Sequence, residues 1–194
     1  MPKPFQKVNW SYLGIDPGKN GGIAIFSKLS SGRTTIQAWP MLETELDLCR
    51  LLEGVNLPDR TTAVIEHVWS SPQMGVASSF TFGFGYGGLR MVLTALRIPF
   101  SPVRPQVWQN ALGVTPQKKG KIVTKPPKKP GSKPRKERVG AESSREFKER
   151  LRAKSQQLFP DFPLWQEPKT KTKQMAICDA MLIAYYCSLQ GANR

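Results

Sequence analysis

Apolar and polar positions change period several times along this chain, and each change marks an element. Residues 11–16 and 21–28 are short apolar runs separated by Pro17-Gly18 and Gly21-Gly22, which reads as strand, tight turn, strand. Ser30-Ser31-Gly32-Arg33 turns the chain again, and residues 34–39 make a third strand that completes an antiparallel meander. Leu42, Leu46, Leu48, Leu51 and Leu52 recur at helical spacing and predict a helix over 43–54. Residues 61–66 form a buried strand that ends on an acid. Residues 76–97 are helical in their second half, where Leu89, Val92, Leu93 and Leu96 share a face. A short strand over 99–103 leads into a short helix through Trp108 and Leu112. Helices follow over 142–158, opened by a capping box of Ser143 and Glu146, and over 173–189. This order predicts an α/β fold: a mixed five-stranded sheet, three antiparallel strands and then two parallel ones, flanked by helices.

Composition sharpens the picture. The 194 residues suit a single domain, 1–194. The net charge of +15 and pI near 10.1 point to a polyanion, most simply nucleic acid. Ten Lys or Arg lie between Lys118 and Arg138 against Glu137 alone, inside a segment rich in Lys, Pro and Gly. Residues 115–140 therefore read as a flexible basic insertion. No amphipathic basic helix suggests a membrane surface. The three cysteines lack metal-finger spacing and the one histidine, His67, leaves no material for a zinc site or a histidine-based triad. No apolar run reaches membrane-spanning length and the N-terminus lacks a secretion-signal core, so the expectation is a soluble intracellular protein with no membrane partner.

Three acids stand where acids are out of place. Asp16 ends the first strand, Glu66 ends Ala63-Val64-Ile65, and Asp179 interrupts an almost wholly apolar helix. Each taken singly is explained by a turn or a capped surface position. Adjacent parallel strands, however, bring Asp16 and Glu66 together, and a helix packed on the sheet lays Asp179 beside them. At ~4 Å and an effective dielectric near 20, each carboxylate pair repels by about 4 kcal/mol. A cation is what keeps such a set ionised. Oxygen ligands select Mg²⁺ or Mn²⁺, and two such ions roughly 4 Å apart clamp an in-line phosphodiester displacement. A basic protein with that site is most economically a nuclease.

At these residues the chain resembles the RuvC-like Holliday-junction resolvases of the RNase H-like superfamily, and among them the phage, cyanobacterial and plastid branch. The resemblance rests on Gly14-Ile15-Asp16-Pro17-Gly18 with Gly21-Gly22, on Val64-Ile65-Glu66, and on Asp179-Ala180 before Leu182-Ile183-Ala184. It rests also on Phe82-Gly83-Phe84-Gly85-Tyr86-Gly87 and on Pro99 through Trp108, and it spans most of residues 11–113 and 142–187. It implies an RNase H-like fold, a homodimer, and symmetric nicking of four-way DNA junctions by metal-activated water, with Mg²⁺ or Mn²⁺ as cofactor, two ions per site. Asp16, Glu66 and Asp179 map onto the family's metal carboxylates and so are the expected catalytic residues. It also implies action in the cytoplasm, at the nucleoid or in a phage-infected bacterium.

The family has a further His or acid one turn before the last Asp; here that turn reads Gln174-Met175-Ala176. Gln174 offers a neutral oxygen, and Lys171 or Lys173 a charge for the phosphate. Weaker second-metal binding, slower cleavage or a binding-only protein is then expected. His67 directly follows Glu66 and faces the other way in a regular strand.

The aromatics at 80, 82, 84 and 86 alternate as in a core strand, but the interspersed glycines weaken a strand and let rings project. In the resolvases the corresponding segment stacks at the crossover, which selects Phe80 and Phe82 as DNA contacts and leaves Phe84 and Tyr86 to the core. The apolar face of the helix that follows packs on its own sheet or, as in the family, on a second copy. Arg104 is assigned to DNA and Trp108 to burial. Lys118, Lys119, Lys121, Lys128 and Lys129 are candidate backbone contacts without sequence information. The competing functions are an RNase H-fold nuclease acting on flaps, forks or RNA strands, a nonenzymatic junction binder, and a nucleotide-using enzyme of the actin or sugar-kinase type. The basicity and the lack of further glycine-rich phosphate loops count against the last.

Overall fold

The computed structural model describes residues 7–191 except 56, 68, 70–73, 118–119, 128–130, 132, 141 and 167–170. Three antiparallel strands open the chain: β1 (Val8–Asp16), β2 (Gly22–Leu29) and β3 (Thr34–Pro40). Helix α1 (Glu45–Gly54) follows, then β4 (Thr61–Glu66), α2 (Val76–Ala95), β5 (Phe100–Val103) and α3 (Pro105–Ala111). The order across the sheet is β3-β2-β1-β4-β5, with β1/β4 and β4/β5 parallel. The expected α/β architecture, a mixed five-stranded sheet with helices on both sides, is the one observed. The chain closes with β6 (Lys121–Lys125), β7 (Arg135–Val139), α4 (Ser144–Leu158), a 3-10 turn over Pro163–Gln166, and α5 (Lys171–Gly191).

Strand alternation divides the interior into two cores. Leu13, Ile15, Ile23, Ile25, Ala63 and Ile65 point to the side covered by α1 and α2. Tyr12, Ala24, Phe26 and Val64 point to the side covered by α3, α4 and α5. Helix α5 is apolar around its circumference because it is buried: Ile177 and residues 180–184 are fully covered. It crosses the sheet at Gly14, where a β-carbon would collide with the Ala180 carbonyl and the Ala184 nitrogen. Only glycine permits that approach.

Two segments differ from the sequence expectation. Helix α2 begins at Val76, so the aromatic-glycine run is helical from its start. In a helix, positions two apart diverge and positions four apart share a face. Phe80 and Phe84 therefore pair, with ring centroids 6.4 Å apart, and both are exposed. Phe82 lies on another face, half-buried against the turn after β1, where a β-carbon on Gly18 would sit 3.0 Å from its ring. The second difference lies in the basic insertion. It contains an antiparallel hairpin, β6 paired with β7, in a sheet of its own. Its β-branched Ile122, Val123, Thr124 and Val139 favour strands, a preference that the Lys and Pro content hides.

No helix among the described residues is long and apolar enough to cross a membrane.

Candidate active site

Register places the first two acids side by side. Ile15 of β1 pairs with Ile65 of β4 in parallel, so Asp16 and Glu66 end adjacent strands at the same level. Alternation turns both toward α5, opposite Ile15 and Ile65. The close crossing at Gly14 brings α5 down on that face, and Asp179, one residue before Ala180, is buried there at 7% exposure.

Each acid has a distinct environment. Burial above all, and then repulsion from Asp179 and Glu66, together raise the Asp16 pKa from 3.8 to about 8 against a smaller pull from Lys148. Burial likewise raises Glu66, opposed by the Trp108 indole and reinforced by Asp179. The fully buried Trp108 donates from Nε1 to Glu66 Oε1 at 2.8 Å. Burial assigned Trp108 correctly to the core, but its N–H orients a carboxylate. Asp179 accepts from Lys148 Nζ of α4 at 2.5 Å through Oδ2, while its buried Oδ1 has no protein partner. Burial opposes the Lys148 charge, yet attraction to Asp179, Asp16 and Glu66 outweighs it and raises the lysine pKa.

Lys148 is the site residue that sequence reasoning missed. It stands among Arg145, Arg150, Arg152 and Lys154 on one polar helix, and its only distinguishing signal is a place beside the apolar stripe of Phe147 and Leu151. Among the described residues, no three His, Cys, Asp or Glu side chains are gathered closely enough to hold a metal ion. The three acids interact through the field rather than through shared ligand geometry, and one ammonium stands against three carboxylates. The donor set nevertheless fits a hard divalent cation. It is all oxygen, its ionised form carries excess negative charge that a cation would relieve, and the Asp179 Oδ1 lone pairs have no protein partner.

The other candidates fall around this centre. Gln174 is buried and committed, accepting from Arg152 Nε at 2.7 Å and donating to the Leu164 carbonyl at 2.7 Å. Gln174 thus supplies no spare ligand. Arg104 is exposed at the N-terminus of α3, just past β5 on the same edge as Glu66. The His67 backbone N–H donates to Val103, and its buried Nδ1 has no partner. Lys118, Lys119, Lys128 and Lys129 lie outside the described residues, as do the side chains of Lys121, Lys171 and Lys173.

Trp108→Phe tests the orienting bond, since Phe keeps most of the ring volume but no N–H. Loss of a partner behind a metal ligand costs about 10–100-fold in affinity or activity. Mn²⁺ titration followed by calorimetry is expected to show that weakening, and unchanged affinity would remove Trp108 from the site.

Comparison with solved structures defines the class of fold: a RuvC-like, RNase H-like α/β fold. The structure of Thermus thermophilus RuvC in complex with Holliday junction substrate aligns with a TM-score of 0.53 at 12% identity, covering 95% of this chain and 96% of that one. A second Thermus thermophilus RuvC structure aligns with a TM-score of 0.49 at 13% identity, over 93% and 95% of the two chains. No protein-family model matches the sequence, and no curated protein matches it.

Proposed function

We propose that this protein is a metal-dependent, structure-selective endodeoxyribonuclease that resolves four-way DNA junctions by paired, symmetric phosphodiester hydrolysis. The observation that carries the reading is the set of Asp16 and Glu66 at the ends of adjacent strands of a RuvC-like sheet and Asp179 on the helix across them, held in mutual repulsion with Lys148 as a shared countercharge. The strong positive charge of the chain suits a polyanionic substrate. One of the structural neighbours was solved with Holliday junction DNA. We assign the protein to the phage, cyanobacterial and plastid branch, as one domain with a basic insertion, acting in a bacterial or phage-infected cytoplasm.

Asp16, Glu66 and Asp179 would hold Mg²⁺ or Mn²⁺, two ions in the full site. Bound there, a divalent ion would supply Lewis acidity to the phosphate and to a bound water. The chain's own residues do the rest. Trp108 fixes the rotamer of Glu66, Lys148 offsets part of the carboxylate charge and offers positive charge to the phosphate, and Arg104 meets the backbone beside the site.

Phe80 and Phe84 form an exposed aromatic pair suited to unpaired bases at the crossover. Stacking is worth ~1–3 kcal/mol per base. Phe80→Ala and Phe84→Ala are each expected to weaken junction binding within that range, read by anisotropy. A 2-aminopurine probe at the crossover should lose its quenching, and unaltered fluorescence would exclude stacking.

A homodimer is part of the proposal, because two copies of one site suit a two-fold substrate. Leu89, Val92 and Leu93 are committed to the protomer's own core. The dimer contact is therefore drawn from the outer face of α2, where Met91 is 66% exposed.

Gln174 favours a second reading. Its engagement with Arg152 and Leu164 takes Gln174 out of the running as a fourth ligand, as in a junction-binding protein with weakened catalysis. Initial rates on labelled four-way junctions, forks, flaps and RNA–DNA hybrids separate the readings. The junction is expected to be cut fastest; preference for flaps or hybrids would redirect the assignment, and binding without cutting would favour the second reading.

A further inference from the structure

The root of the basic hairpin is fastened to the helix that carries Lys148. Residues 121–139 hold eight Lys or Arg against Glu137 alone. The chain leaves the main fold at Thr115 and Gln117 and returns at Glu142. There the Glu142 backbone N–H donates to the Gln117 carbonyl at 3.1 Å, and the Gln117 N–H donates to Glu142 Oε2 at 2.9 Å. Arg150 of α4 grips the same carboxylate with two donors, Nε to Oε1 at 2.8 Å and Nη2 to Oε2 at 2.9 Å. Its Nη2 also donates to the Thr115 carbonyl at 2.8 Å, so one guanidinium ties both legs of the hairpin. The Phe147 ring lies 5.4 Å from the guanidinium.

This is more fastening than a solvated linker requires. A fork-to-fork Arg–carboxylate pair fixes direction as well as distance. The Arg150 hydrogen bonds, with the Gln117 N–H, hold the Glu142 carboxyl down at about 2. Helix α4 then runs on from its capping box to Lys148, bonded to Asp179, and Arg152, bonded to Gln174. Root, helix and carboxylate edge form one continuous chain of bonds.

We infer that Glu142 and Arg150 are positioning residues: they hold the basic hairpin in register with the carboxylates, so that a DNA arm gripped by its backbone presents one defined phosphodiester to the site. The inference rests on the nuclease reading and adds a determinant of where the strand is cut. It assigns the hairpin a duplex phosphate backbone as its partner, which matches its charge and needs no sequence readout.

The experiment compares full-length wild type with Arg150→Ala, Arg150→Lys and Glu142→Gln. All three keep the hairpin's own basic residues. Expected results are an unchanged slope of log affinity against log salt for a four-way junction and unchanged Mn²⁺ affinity. Single-turnover nicking should fall about tenfold or more in Arg150→Ala, because misplacement by about 1 Å is enough to cost that. Nicks should spread over neighbouring phosphodiesters, and Arg150→Lys should fall between. Variants that melt earlier but cut the same bond at the wild-type rate would overturn the inference and leave a merely structural clasp. A reduced salt slope would overturn it too, since the clasp would then serve affinity rather than register. Should Arg150→Ala fail to fold, Glu142→Gln, which loses the charge but keeps the shape, decides by the same readouts. Wild type that neither binds nor nicks a junction would overturn the nuclease reading itself and this inference with it.

Discussion

Asp16→Asn is expected to abolish junction nicking while leaving junction binding within about twofold of wild type. Asp16 ends the central strand of the sheet and sits between Gly22 of β2 and the level of Glu66 on β4. It is also the acid whose ionised form the fold penalises most clearly, being pushed to about 8 by burial and by its two acidic neighbours. Such a group is costly to keep for stability alone. Asn retains the size and one oxygen but removes the charge that holds a divalent ion. Even partners behind metal ligands are worth about 10–100-fold, so loss of the ligand itself should exceed about a hundredfold in cleavage rate. DNA affinity draws on the basic surface and the exposed rings, which this change leaves alone. Parallel binding isotherms and single-turnover assays check both halves; near-normal nicking by Asp16→Asn would take Asp16 out of the mechanism.

The same penalty yields a prediction about stability. In metal-free protein, Asp16→Asn should be more stable than wild type at pH 8 and nearly equal to it at pH 4. The folded carboxyl titrates near 8 and the unfolded one near 3.8. Between those values the folded state keeps a proton that the unfolded state has released. Stability from this group is therefore full below the unfolded value and falls as pH rises through the folded one. The slope approaches about 1.4 kcal/mol per pH unit for one such group, a few kcal/mol over the window. Glu66, also raised, adds a loss of the same sign. A cation that binds only the ionised set should reverse the loss at pH 8 by mass action. Thermal melts of both proteins in chelator and in Mg²⁺, from pH 4 to 9, give the comparison. The variant serves as the reference for every other titrating group. Equal melting of the two proteins at pH 8 without metal would mean that the acids do not strain the fold.

Much of the site could be read from residues because two strands and one helix each break an apolar pattern with an acid. Strand ends at Asp16 and Glu66 follow from short apolar runs, and their adjacency follows from parallel pairing, which the topology bears out. Asp179 was conspicuous inside an apolar helix for a reason visible only in space: α5 is buried on nearly every side, and the acid is where it faces Asp16 and Glu66. What stayed hidden depends on packing. Lys148 is one basic residue among several on α4 until α5 lies against it. Gly14 looks like part of a turn motif, yet its lack of a side chain is what lets α5 approach β1. The turn glycines also have close protein neighbours, with Gly18 against Phe82 and Gly21 against the Asp16 backbone. The aromatic-glycine run looked like strand or loop because alternation and glycine both argue against helix. Burial of Leu89, Val92 and Leu93 in the second half carries the helix through the first, and pairs Phe80 with Phe84 instead of Phe82.

The measurement that tests the central claim most directly is cleavage of a mobile four-way junction, mapped at nucleotide resolution on all four strands, with Mg²⁺ titrated and Asp16→Asn alongside. The account predicts paired nicks at symmetric positions on opposing strands, dependent on the metal and absent from the variant. Unpaired or metal-independent nicks, or equal cutting by Asp16→Asn, would contradict it.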